Sequence, residues 1–289
     1  MPTYQSRVST TLPNGNFLPQ IWSKKLNNKY YAQLCLDEIT NHDWEGEIKG
    51  QGSSVLIRQV PTIDIFDHVI GQDMSLTDIT DDKIELLINK AKYFNIEVSD
   101  IDAVQSNIPL MNMLIENATK NLKTAIEREV FAAVYADASN SMSTLPMDKT
   151  NVLDWIIDAG AIMEDCFLPA DGRFIIIPPK GGAYLQKSDL KNVSLTGDDS
   201  SVMREGMTNG RLGTIAGITV YINSQLAKSG TTYQCIAGHK SAIAFASQIN
   251  KVRHVQPTER WSEAVQCLNV YGFKTVLPSG LISMPAVIV

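Results

Sequence analysis

The stretch IPLMNMLIENATKNLKTAIEREVFAAVYADA, residues 108–138, decides how the rest of the chain is read. Beyond Pro109 it reaches Ala138 with no glycine and no further proline. Pro109 suits a first helical turn, where its missing N–H is not needed, and Ser106 or Asn107 can cap that turn. At 1.5 Å per residue the helix is roughly 45 Å long. Leu110, Leu114, Ala118, Leu122, Ile126, Val130 and Val134 recur every fourth residue. A repeat of four overshoots a 3.6-residue turn, so the apolar stripe rotates around the helix as it climbs. Such a helix meets different partners along its length and works as a strut.

Upstream, the texture is extended. Residues 1–20 are polar and broken by Pro13, Gly15 and Pro19, which predicts an irregular arm. IWSKKLNNKYYAQLCLDEI, residues 21–39, carries Ile21, Trp22, Leu26, Tyr30, Leu34 and Ile39 at rough helical spacing. SSVLIRQVPTIDIFDH, residues 53–68, is rich in Val, Ile and Phe, and Pro61 marks an edge or a bend. After the polar GQDMSLTDITDD, the run KIELLINKAKYFNIEVSD places Ile84, Leu86, Ile88, Phe94, Ile96 and Val98 between polar partners. That period-two pattern predicts strand, and the two runs together predict an extended hairpin over 50–100. A lone two-stranded ribbon is marginal in water, and Lys90 and Lys92 interrupt its apolar face. The ribbon is therefore expected to lie on a neighbouring copy. The segment 50–100 holds four basic and nine acidic residues, a net of −5. Its acids, Asp73, Asp78, Asp81 and Asp82 among them, suit a basic patch on that neighbour or a solvated tip. The candidate inter-subunit contacts are Trp22, Arg58, Asp73, Asp78, Asp81, Asp82, Lys83, Lys90 and Lys92.

Downstream of a link, SNSMSTLP, the pattern turns to α/β. NVLDWIIDAGAIMED predicts a helix opened by Thr150 or Asn151; RFIIIPP a short buried strand stopped by two prolines; KGGAYLQKSDL a short helix. SLTGDDSSVMREGMTNGR predicts a surface loop. ITVYI, YQCIAG and KVRHVQP predict strands, HKSAIAFASQI a helix, and RWSEAVQCLNVYGFKTVLPSGLISM closes the chain.

Chemistry is hard to find along this chain. The formal net charge of −6 gives no basic face for reading nucleic acid, and no apolar run is long enough to span a bilayer. Cys35, Cys166, Cys235 and Cys267 stand apart in apolar surroundings and predict buried thiols formed in a reducing cytosol. His42, His68, His239 and His254 form no metal-ligand spacing, and no GxSxG elbow is present. In GRLGTIAGITVYINSQLA, residues 210–227, glycines precede an apolar run as in a phosphate loop. No lysine follows them, however, and they lead into a strand instead of a helix. They predict a turn entering ITVYI. No catalytic residue, cofactor or metal is assigned.

The order of parts is more telling than any motif: arm, long hairpin, strut helix, α/β unit. This order resembles the major capsid protein of tailed double-stranded DNA bacteriophages, the HK97-like fold, over nearly the whole chain. WEGEIKGQGSSVLIR (44–58) looks like that family's passage from N-arm into extended loop, and residues 107–138 like its spine helix. RFIIIPPKGGAYL and GTIAGITVYINSQL are similar to axial-domain segments, and WSEAVQCLNVYGFKTVLPSGL to the closing part. The resemblance implies an α+β fold divided as N-terminal arm 1–49, extended hairpin 50–100, peripheral domain with spine helix 101–148, axial domain 149–250, and peripheral strands with C-terminal segment 251–289. It implies a non-enzymatic coat protein assembling as hexamers and pentamers into an icosahedral virion head, in the host cytoplasm. The partners so implied are further copies of the chain and packaged double-stranded DNA, held by non-specific contact. A scaffolding protein, a portal and a decoration protein are further candidates, and no membrane is implied. About 105 residues precede the spine helix, and arm and hairpin use them up, so scaffolding is expected from a separate protein. Nothing marks Lys83, Lys90 or Lys92 as reactive, so the Lys–Asn crosslink of some relatives is not carried over. The competing readings are an encapsulin-type compartment shell and, more distantly, an α/β enzyme in residues 150–289.

Overall fold

The computed structural model describes residues 34–44, 54–58, 63, 65–67, 83–99, 110–188, 211–257 and 261–288. A four-residue helix, α1 (Leu36–Ile39), precedes the strut, α2 (Leu110–Asp137). Ile126, Val130, Phe131 and Val134 of α2 are buried, whereas Leu114 is 37% exposed. The chain's own core therefore covers only the C-terminal half of the strut. The arm 1–33 lies outside the described residues.

The extended region differs from the sequence expectation in an instructive way. β1 (Ser54–Arg58) pairs antiparallel with β2 (Lys83–Leu87), Ser54 opposite Leu87 and Arg58 opposite Lys83. The alternating run then breaks. β3 (Lys90–Ser99) leaves the hairpin and pairs antiparallel with β12 (Ser262–Thr275), which also holds β11 (Ile243–Val255) in a three-stranded sheet. Only half of the second run thus belongs to the hairpin. The break sits where β12 presses on it. A Cβ on Gly272 would meet the Leu87 carbonyl oxygen at 2.2 Å and Ile88 Cα at 2.9 Å, so only glycine lets the backbones touch. Val55, Ile57, Leu86 and Ile88 pack on Ala244, Ala246 and Val276 of the same chain. The hairpin base is therefore self-supported, and the expectation that a neighbour carries the whole ribbon is corrected: the chain's own strands carry the base and β3. Beyond the base, Ile63, Ile65 and Phe66 are 65%, 95% and 60% exposed.

The larger sheet orders its strands β4-β13-β10-β6-β8-β7, from β4 (Asn140–Ser141), β6 (Arg173–Ile177), β7 (Arg211–Ile215), β8 (Ile218–Ile222), β10 (Thr232–His239) and β13 (Leu281–Ile288). β5 (Leu145–Met147) joins β13 and β9 (Lys228–Ser229) joins β10. The stretch expected as a plain link, SNSMSTLP, instead contributes β4 and part of β5, both parallel to β13. α3 (Val152–Asp165) buries Val152, Trp155, Ile156, Ala159 and Met163. α4 (Pro179–Lys187) opens on a proline at its first turn, directly after the wholly buried β6. The HKSAIAFASQI helix does not form: a 3₁₀ turn, Lys240–Ala242, leads straight into β11. Ala216 and Gly217, with φ of 50° and 77°, make the two-residue turn joining β7 to β8. Positive φ at both positions is what a tight right-twisted hairpin needs. The loop expected over 194–211 lies outside the described residues except for Arg211.

Candidate assembly surface

Two glutamates on α2 hold the pieces that surround it. Glu129 faces the three-stranded sheet. Lys90 Nζ donates to its Oε1 at 2.7 Å, Lys92 Nζ pairs with its Oε2 at 2.7 Å, and the Tyr271 hydroxyl donates to Oε2 at 2.9 Å. Burial alone would raise this carboxyl; the three hydrogen bonds outweigh it and pull the group down to about 2. Burial, and then the same carboxylate, push the Tyr271 hydroxyl up. The Lys90 ammonium also sits 4.1 Å from the centre of the Phe273 ring. Two of the three lysines expected to reach a neighbour, Lys90 and Lys92, are thus engaged by the strut of their own chain.

Since the Glu129 carboxyl is depressed by folding, its stabilisation is present above the unfolded carboxylate value and is lost as pH falls towards 2. Glu129→Gln should destabilise the unassembled subunit at pH 7 by roughly 1–2 kcal/mol, discounted because the site is one-third open to water. Urea unfolding at pH 7 and pH 3 checks this: the gap between variant and wild type should narrow at the lower pH.

Glu127, two residues earlier, is fully buried. Its Oε1 accepts the backbone N–H groups of Cys35 at 2.7 Å and Leu36 at 3.0 Å, which open α1. Burial raises this carboxyl. Asn223 Nδ2 donates to Cys35 Sγ at 3.3 Å, while Asn41 exchanges backbone hydrogen bonds with Ile243 and Phe245 at 2.8 and 3.0 Å. The segment 34–44 is thereby fastened between α2 and β11. A cavity of about 430 Å³ beside it is lined by Leu34, His42, Lys123, Glu127, Phe245 and Asn269.

Of the remaining candidates, Arg58 and Lys83 are exposed and opposite one another at the outer end of the hairpin base. Like charges facing across a ladder are unfavourable unless an acid joins them. Trp22, Asp73, Asp78, Asp81 and Asp82 lie outside the described residues, as does His68. Cys35, Cys235 and Cys267 are buried as expected, but Cys166 is only half-buried. His239 is structural, its Nδ1 accepting from Ser241 N and its Nε2 2.6 Å from the Asp171 carbonyl. A groove of about 530 Å³ runs between α2 and β3, lined by Ala91, Tyr93, Ala118, Leu122 and Ala125 among others. It lies along the half of the strut that the core leaves uncovered. Glu127 was not among the expected site residues, although its place three and four residues before Val130 and Phe131 puts it on the buried stripe.

The profile of the phage capsid protein family matches residues 83–282, more than two-thirds of the chain. The chain belongs to the phage capsid protein family. Its fold agrees with solved capsids well beyond that span. A structure described as Mycobacterium phage Che8 superposes with a TM-score of 0.80 at 25% identity, over 94% of this chain and 98% of that one. The capsid of Cyanophage P-SCSP1u gives a TM-score of 0.69 at 14% identity, with 100% of both chains covered. The capsid of Myoviridae phage XM1 gives 0.66 at 14%, over 93% and 97%. No curated protein matches the sequence. The capsid fold is HK97-like, with α2 as its spine and the larger sheet as its α/β body.

Proposed function

We propose that the chain is the major coat protein of a tailed-phage head, assembling as hexamers and pentamers into an icosahedral shell around double-stranded DNA. The observation that carries this is the pairing of the capsid family match with an unsupported extension. Beyond the self-supported hairpin base, Ile63, Ile65 and Phe66 face solvent in the single chain. Large apolar side chains exposed in a row mark a contact surface. A second copy covers them in an array, where each contact repeats at every subunit. The groove between α2 and β3 is a surface of matching character. Much of the folding free energy is then realised on assembly. The net charge of −6 suits an inner wall that confines DNA without gripping it. The role is structural, with no catalytic step; scaffolding protein, portal and decoration protein are its candidate partners. That the solved relatives are phage heads favours a head over a cargo compartment.

Electron microscopy and light scattering of the purified protein test the reading. Shells, formed alone or with a co-expressed scaffold, are expected. A monomer under all these conditions would overturn it.

A further inference from the structure

The turn after α3 holds its shape unusually firmly. Phe167 N–H donates to the Glu164 carbonyl at 2.9 Å, and Leu168 N–H to the Met163 carbonyl at 3.1 Å, which closes the helix in a Schellman motif. Phe167 occupies the position where glycine is usual, and its φ is +57°. A bulky aromatic residue in this region is an outlier. The buried Arg173 guanidinium braces the turn, donating Nε–H to the Pro169 carbonyl at 2.8 Å and reaching the Leu168 carbonyl and Glu164 as well. On this rigid mount the Phe167 ring is 94% exposed. The turn at 277–280 lies alongside: Asn140 Nδ2 bridges Cys166 Sγ at 3.3 Å and the Ser279 carbonyl at 2.8 Å. There Leu277 is 40% exposed and Pro278 is exposed too.

We infer that Phe167, with Leu277 and Pro278, is an assembly contact that inserts into a different surface of a second copy of this chain. The inference rests on the capsid reading. The same chain exposes a separate apolar set at Ile63, Ile65 and Phe66. Distinct unlike patches are what a head-to-tail contact between copies requires, whereas a two-fold contact would need one self-matching patch. A braced turn enters such a contact with little main-chain freedom left to lose.

Phe167→Gly separates this role from folding, because glycine relieves the positive φ while removing the ring. The isolated subunit should unfold at the same or a higher urea concentration than wild type, as should that of Phe167→Asn, which also tolerates the conformation. Shell yield, read by sucrose-gradient sedimentation, should fall at least about tenfold for both, for loss of one buried ring per contact. Normal shell yield from either variant, beside normal wild-type shells, overturns the inference and leaves the capsid reading intact. Failure of wild type to form shells even with its scaffold sinks the capsid reading, and the inference with it.

Discussion

Deleting residues 70–82 should leave a folded subunit that no longer builds shells. Val55, Ile57, Leu86 and Ile88 are seated on Ala244, Ala246 and Val276, and β12 touches the Leu87–Ile88 backbone at Gly272. None of these groups lies within the deleted stretch, so the unfolding midpoint of the isolated subunit should shift by no more than about 2 °C, the effect of roughly 1 kcal/mol or less. Assembly is another matter. The residues beyond the base carry Ile63, Ile65 and Phe66 in solvent, and fully burying each such side chain is worth roughly 1.5–3 kcal/mol. Every roughly 1.4 kcal/mol lost per contact is a tenfold weaker association, so shell yield should drop by more than about a hundredfold once the hairpin cannot reach its neighbour. A milder version, Ile63→Ser with Ile65→Ser and Phe66→Ser, should act in the same direction without shortening the chain. Sucrose-gradient sedimentation reads both. Normal shells from the deletion would contradict the clasp role of the hairpin.

What the sequence disclosed, and what it hid, follows from the range of the interactions involved. The spine helix was visible because its signal is local: a four-residue repeat, a proline near the start and no breaker within. The break between β2 and β3 was hidden because the alternation runs on through Ile88 and Asn89; the cause is Gly272, more than 180 residues away. The same distance problem turned HKSAIAFASQI into an expected helix. Ala242, Ile243, Ala244, Phe245 and Ala246 are all buried, so both faces of that strand are apolar and no period separates helix from strand. Pairing with Tyr271, Gly272, Phe273, Lys274 and Thr275 decided it. Lys90 and Lys92 were legible as charges that spoil an apolar face, but not as ligands of one carboxylate on the strut. The base of the hairpin was legible as paired strands, and the share of it that its own chain supports was not. Assembly surfaces are the least legible of all, since a solvent-facing apolar side chain in one copy carries no mark of which surface of the next copy meets it.

Glu127→Ala should be the most damaging single substitution for the subunit itself. Two backbone N–H groups, of Cys35 and Leu36, find their acceptor in this one buried carboxylate. Removing it leaves both donors buried without a partner, at about 1–3 kcal/mol each, and adds an empty space beside Ile126 and Val130. A loss of roughly 2–5 kcal/mol is expected, which for a domain of this size lowers the melting temperature by about 2–4 °C per kcal/mol. The segment 34–44 should come free first, because α1 is only four residues long and its N-cap residue, Cys35, makes no side-chain capping bond; limited proteolysis would then cut ahead of the spine helix. Glu127→Gln is the informative contrast. It keeps an acceptor oxygen for the two donors and removes the charge, so it should retain most of the stability. Because burial raises the Glu127 carboxyl, its contribution is fully present below the unfolded value of about 4.3 and is lost as pH rises through the higher folded value. Wild type should therefore lose stability relative to Glu127→Gln on going from pH 4 upward, the opposite sign to Glu129, whose contribution fades on going down. Urea unfolding of the subunit across that range tests both glutamates in one series. An alanine variant as stable as wild type, or a glutamine variant that tracks wild type at every pH, would remove Glu127 from its place as the anchor of the N-terminal segment.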